Sequence, residues 1–177
     1  MAILRIEDFK SQLKGGGARP NLFQCIITYP PAVQAEGDIV KTAFMAKAAQ
    51  LPASTMSSIP VGFRGRQLQI AGDRTFEPWT VTIINDTDFT VRNSMERWMN
   101  AINQHASNTG LTNPSDYQTD LFVDQLDKDG VKLKSYRIKS AFPTNVSAID
   151  LAYDTNDTIE EFTVEFQMQY WQSNTTS

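Results

Sequence analysis

The pattern that stands out first along the chain is a strict alternation near its end. Phe162, Val164, Phe166, Met168 and Tyr170 interleave with Thr163, Glu165, Gln167 and Gln169, which predicts a strand with one face on a core and the other toward water or a polar partner. Trp79–Ile84 is a β-branched run of similar meaning. Between them the period changes. Val91, Met95, Trp98 and Ile102 fall on one stripe, with Arg92, Glu96, Arg97, Asn100 and Asn103 facing elsewhere, predicting a helix over 88–107 capped by Asp88 or Thr90. Such a stripe is a packing face far more often than a cofactor site.

The remaining elements follow from shorter signals. Leu22–Tyr29 reads as a strand stopped by Pro30 and Pro31, which lack the amide hydrogen a ladder needs. Gln67, Leu68, Gln69 and Ile70 read as one arm of a ribbon around Gly62 and Gly65. Thr119–Leu126 and Val131–Ala141 form a hairpin across the turn Asp127–Gly130, and Val146–Tyr153 gives a further strand before a turn at Asp154–Asp157. Ile3, Ile6, Phe9 and Leu13 suggest a short amphipathic arm over 1–17, broken off by Gly15–Gly17, with a frayed terminus as the competing reading; 172–177 is expected to be a mobile tail. Strands on both sides of one good helix predict a mainly β, α+β single domain over 1–177. Its architecture would be an antiparallel β-sandwich or barrel with one flanking α-helix and a long extended excursion.

Composition narrows the chemistry. The chain has 177 residues, 41% of them hydrophobic and 20% charged, values of a globular domain, and its apolar runs are too short to span a bilayer. Glu7 and Asp8 leave no room for a secretory leader, so the chain is expected to be made in the cytoplasm without a membrane anchor. Cys25 is the only cysteine, which removes intramolecular disulfides and cysteine-based zinc sites, and its expected place is packed surroundings. Lys and Arg total 16 against 20 for Asp and Glu, a balance unsuited to gripping phosphate.

Signals for catalysis are absent from the pattern. Gly15–Gly17 is not followed by the GK[ST] of a phosphate loop, and His105, the single histidine, has no partner at metal-motif spacing. Asp127 and Asp129 fit a plain turn better than a calcium loop. Glu160 and Glu161 are adjacent in an extended segment and point to opposite faces, wrong for paired acid and base work. Neither an enzyme nor a cofactor is expected.

Longer strings carry more. Pro60–Phe63 reads PVGF, Ala71–Phe76 reads AGDRTF, and Trp79–Thr82 reads WTVT, in that order within the stretch Ser58–Asp86; ARPNLFQ (Ala18–Gln24), FPTNV (Phe142–Val146) and the pair Tyr170, Trp171 lie outside it. In these strings the chain resembles the tail tube proteins of T4-like contractile-tailed bacteriophages. The resemblance implies a β-sandwich or barrel with a helix at its margin, and a strand over Thr42–Ala48, where Ala, Met and Lys by propensity favour helix. It implies a virion structural subunit that forms hexameric rings, stacks them into a tube and conducts DNA when the sheath contracts. Tail sheath, baseplate and tail-terminator proteins are the implied partners, and DNA would pass without tight binding. A tube subunit of a contractile secretion or injection device, or a non-viral binding module of the same fold, is the alternative.

Within this reading the excursion Met45–Arg74 lies between subunits, with Pro60, Gly62, Phe63, Arg64, Arg66, Asp73 and Arg74 as candidate contacts. For the arginines, simple solvated surface is the competing reading. Glu165 and Gln167 are candidates for the channel lining, against a face toward a neighbouring subunit or sheath.

Overall fold

The computed structural model describes residues 5–33 and 39–176. In chain order the elements are α1 (Ile6–Gln12), β1 (Phe23–Ile26), α2 (Ile39–Met45), β2 (Ala46–Ala49), β3 (Ser54–Phe63), β4 (Arg66–Phe76), β5 (Trp79–Ile84), α3 (Thr90–Ile102), α4 (Pro114–Tyr117), β6 (Thr119–Leu126), β7 (Lys132–Val146), β8 (Glu161–Gln167) and β9 (Tyr170–Ser173). Seven strands make one antiparallel sheet in the order β1–β6–β7–β8–β5–β2, with β9 also on β7, while β3 and β4 stand apart as a two-stranded ribbon.

The 15-residue strand β7 joins the two halves of the sheet. Its first part pairs with β6 and β9, and from Phe142 to Val146 it pairs with β8. The hand-over occurs at a bulge where the β6–β7 register slips between Thr119 and Leu121, beside Ser140 at φ 53°. A bulge bends and twists a strand, and here the two half-sheets share one core. Cys25, Leu121, Val123 and Ile138 from one half meet Trp79, Val81, Ile83, Phe162, Val164 and Phe166 from the other. The alternation of β8 and the Trp79–Ile84 run are therefore what fold the sheet onto itself.

Helix α3 covers this core with the stripe its spacing predicts: Val91, Met95 and Trp98 are buried and Ile102 is partly buried. Trp98 packs against Tyr29 and Phe166 with ring centroids 5.9 and 6.0 Å away, and its Nε1–H donates to Tyr117 O at 2.7 Å. The other two indoles likewise donate to backbone, Trp79 to Gln50 O and Trp171 to Ala53 O. A buried indole N–H needs such a partner.

Several expectations change. The helix is shorter than 88–107, and neither Asp88 nor Thr90 caps it; Phe89 at φ 54° is the N-cap residue, without a side-chain cap bond, and the buried Thr90 hydroxyl has no partner among the described residues. Thr42–Ala48 is not one strand. Helix propensity prevails through Met45, where Thr42 is buried against the Tyr29 hydroxyl at 3.1 Å, and pairing with β5 prevails from Ala46.

The expected strand Val146–Tyr153 is also absent, because Ser147 closes the β7 ladder. Its N–H donates to Thr163 O, and its hydroxyl accepts the Thr163 N–H that a backbone carbonyl would otherwise take, both at 2.8 Å. Beyond it, Leu151 and Tyr153 project into solvent. The closing alternation is broken at Met168–Gln169 into β8 and β9, whose registers on β7 run on from Phe142↔Gln167 to Lys139↔Tyr170. β9 reaches two residues into the stretch expected to be a loose tail, and Ser173 is buried there by bonds with Thr175 and Thr176. The arm helix α1 has Ile6, Phe9 and Leu13 exposed; Ile3 lies outside the described residues.

Candidate inter-subunit surface

The ribbon β3–β4 begins at buried Pro52 and ends on Phe76, whose ring meets Trp171 edge-on at 6.3 Å. Between these anchors every residue from 53 to 71 is exposed. The strands are closed by Arg64 and Gly65, at φ 48° and 77°, between the paired residues Phe63 and Arg66. Two successive positive φ values give the tight turn whose twist matches paired strands; glycine adopts it freely, whereas arginine is there against its preference. The Arg64 guanidinium folds over the Phe63 ring, 5.3 Å from its centroid.

Register separates the two faces of this ribbon. Ile59 pairs with Ile70, Val61 with Leu68, and Phe63 with Arg66, while Pro60 pairs with Gln69 and Gly62 with Gln67. Residues directly opposite share a face, so one face is apolar with Arg66 at its end and the other is small and polar. The apolar face has no cover among the described residues: Phe63 is 68% and Leu68 62% exposed. Nearer the base the pairing slips between Met56 and Ser58, where a Cβ on Gly72 would come within 2.4 Å of Ser57 Oγ, and the Ser57 hydroxyl donates to Asp73 O at 3.1 Å.

The seven candidate contact residues thus fall into two groups. Pro60, Gly62, Phe63, Arg64 and Arg66 gather at the distal end, and Asp73 and Arg74 lie beyond the bulge, roughly 20 Å back along the strand at about 3.3 Å per residue. None of the three arginines has an ion pair among the described residues. The exposed apolar groups of this face that sequence reasoning passed over are Ile59, Val61, Leu68 and Ile70. Their alternation with Pro60, Gly62 and Gln69 was the available signal.

Glu165 and Gln167 lie on the polar side of β8, half-buried, alternating with buried Val164 and Phe166; Glu165 is flanked in register by Thr80 of β5 and Asn145 of β7. The acids next to them are separated as the spacing requires. Glu160 accepts from Asn85 Nδ2 at 2.9 Å, whereas Glu161 pairs with Lys47. Asp127–Gly130 is a hairpin turn, with Gly130 N–H donating to Asp127 O at 3.0 Å. His105 lies exposed past the end of α3. Cys25 is fully buried; burial foremost, and the nearby Asp124 carboxylate next, push its thiol up to about 12. No group of three or more His, Cys, Asp or Glu among the described residues could hold a metal ion, and no described helix is long and apolar enough to cross a membrane.

Solved structures similar in fold include a chain of the anti-feeding prophage baseplate and one of its tube-terminating cap. Their TM-scores are 0.63 and 0.64 at 12% and 14% identity, covering 88% and 100% of this chain and 94% and 95% of those chains. At such identity the likeness is one of fold. In sequence, the chain is 38% identical over 159 residues to the tail tube protein of Enterobacteria phage T4, covering 89% of this chain and 93% of that one. To the tail tube protein of Serratia phage KSP90 it is 27% identical over 170 residues, 95% of each. The model of the phage tail tube protein family matches residues 18–174. The chain therefore belongs to the phage tail tube protein family, as a structural subunit of contractile virion tails.

Proposed function

We propose that this subunit assembles into hexameric rings, that the rings stack into a hollow tube, and that DNA passes along the channel. The observation that carries this is the β3–β4 ribbon, a long arm with an uncovered apolar face, unpaired arginines at its tip and open strand edges on both sides. A surface of this kind is satisfied by association. Ring contacts join different patches on neighbouring copies, and axial stacking repeats without closing. In this arrangement the ribbon is the inter-subunit arm, Glu165 and Gln167 contribute to a polar, net acidic channel wall, and sheath, baseplate and tail-terminator proteins engage the outside and the two ends.

Light scattering and negative-stain imaging across a concentration series, with and without a baseplate nucleus, test the reading. Rings and stacked hollow tubes are expected; a protein that stays monomeric under every condition, nucleus included, is not a tube former. The same subunit fits a contractile injection device, a reading favoured by likeness in fold to the anti-feeding prophage chains. Tubes recovered from producing cells as parts of DNA-filled particles separate the first use from the second.

A further inference from the structure

The loop after β7, from Ala148 to Glu161, borders an open groove of about 670 Å³. Asp150, Glu160 and Glu161 line it, while Asp154 and Asp157 lie on the same loop outside the lining, and no lysine or arginine occurs anywhere from Ser140 to the end of the chain. Two of these acids are engaged, Glu160 with Asn85 and Glu161 with Lys47. Asp150, Asp154 and Asp157 have no ion pair among the described residues. Leu151, Tyr153 and Ile159 stand beside them at 81%, 107% and 72% exposure. Apolar side chains interleaved with unpaired carboxylates form a surface that lacks its complement.

That complement exists on the same chain. The ribbon carries Arg64, Arg66 and Arg74 against the single acid Asp73, next to its own uncovered apolar face. Among the other bases, Arg5, Lys10 and Arg19 of the N-terminal segment are interspersed with the acids Glu7 and Asp8, and those of the β6–β7 hairpin are largely committed. Lys132 holds Asp124 at 2.6 Å, and Arg137 and Lys139 hold Asp120 at 2.6 and 2.8 Å. We propose that the ribbon tip of one copy seats over the acidic loop that borders this groove on a second copy, with Arg64 and Arg66 facing Asp154 and Asp157, and with Leu151, Tyr153 and Ile159 covering Val61, Phe63 and Leu68. The inference rests on the tube reading above and assigns that assembly its joint. Opposite charges steer the two surfaces and set their register, while the apolar contact holds them. Because loop and tip are different patches, each copy offers one of each, and the contact repeats from copy to copy.

Charge exchange tests the pairing. Arg64→Glu with Arg66→Glu, and separately Asp154→Arg with Asp157→Arg, should each raise the concentration needed for assembly about tenfold, since like charges brought together repel. Circular dichroism should stay that of the wild type, because all four residues are exposed. The four changes combined in one chain should restore assembly toward the wild-type concentration. If wild-type tubes form and the combined variant is no better than either pair alone, the joint is refuted and the tube reading stands.

A second measurement needs no tube. Arg64→Cys and Asp154→Cys proteins, mixed and treated with a short bismaleimide, should give a crosslinked heterodimer, while buried Cys25 stays unreacted. No heterodimer, or no more than an exposed control such as Asn108→Cys gives in place of Asp154→Cys, overturns the proposal whether or not tubes form.

Discussion

The backbone N–H of Ser140, held at φ 53°, donates to Oδ1 of Asp120 across the β6–β7 bulge at 3.1 Å. The other carboxylate oxygen takes Arg137 Nε at 3.0 Å and Lys139 Nζ at 2.8 Å. One side chain thus ties together the bulged residue and both flanking cations, at the point where β7 passes from one half-sheet to the other. An ordinary residue stays in the left-handed region only when its surroundings fix it there.

Removing that carboxylate should loosen the fold. Asp120→Ala is expected to cost about 1.5–3 kcal/mol in urea unfolding, the range for losing hydrogen bonds to a charged group, and Asp120→Asn less because it keeps an acceptor for Ser140. The wild type should also show a distinct acid limb. Burial raises the Asp120 pKa, but Lys139, the Ser140 N–H and Arg137 together lower it more, so it titrates below the ordinary 3.8. A folded-state pKa below the unfolded one gives stability that is present above the unfolded value and is lost as pH falls through the folded value. Unfolding midpoints followed from neutral pH to below 3.8 should therefore fall less steeply for Asp120→Ala; parallel curves would remove Asp120 from the account.

Gly110 is required by space rather than by backbone angle. A Cβ there would lie 2.1 Å from Ile102 O, at the end of α3 where Leu111 N–H donates to Ala101 O. Gly110→Ala should lower thermal stability by about 1–3 kcal/mol as the loop is forced off the helix. Gly62→Ala, with nothing within 4 Å of the new methyl, should leave the melting of the subunit unchanged.

Cys25 should be silent toward thiol reagents in the native subunit. With the thiol held near 12, almost no thiolate exists at pH 8, and the side chain has no exposure. Labelling should proceed in urea and track global unfolding; rapid native labelling would show that β1 opens independently of the core.

Assembled tubes should bind double-stranded DNA negligibly at both low and moderate salt. Acids outnumber bases 20 to 16, and Glu165 and Gln167 sit on the polar side of β8. Strong binding that weakens steeply with added salt would mean a basic wall.

What the sequence made readable was the part governed by local period. Trp79–Ile84 and Thr119–Leu126 occur at the residues their β-branched and alternating patterns mark, and the Val91–Trp98 stripe is the buried face of α3. What escaped was set by single atoms acting at a distance. The Ser147 hydroxyl ends a strand that the alternation of Ile149, Leu151 and Tyr153 would continue. The kink at Ser140 depends on a carboxylate 20 residues earlier. At the candidate surface the glycines and arginines were visible as an excursion. The alternation of Ile59, Val61, Leu68 and Ile70 marked an apolar side on each strand, but that the two sides form one face needs the register Ile59↔Ile70 and Val61↔Leu68. The acidic loop was masked by its strand-like spacing, although the absence of bases after Lys139 marked it.

The ribbon's isolation also bears on the kinetics of growth. A two-stranded hairpin without a packed face has little stability of its own in water, so in a free subunit its amide hydrogens should exchange fast while those of β5, β7 and β8 are protected. In the proposed assembly each arriving subunit would order its ribbon as it joins, and the entropy lost would have to be offset at that moment by new contacts. Two free subunits would both have to order at once, whereas a finished end presents one side already set. Elongation from a preformed end should therefore outrun spontaneous initiation, and a lag that vanishes on adding short tube fragments is the expected kinetic signature of the proposed arm.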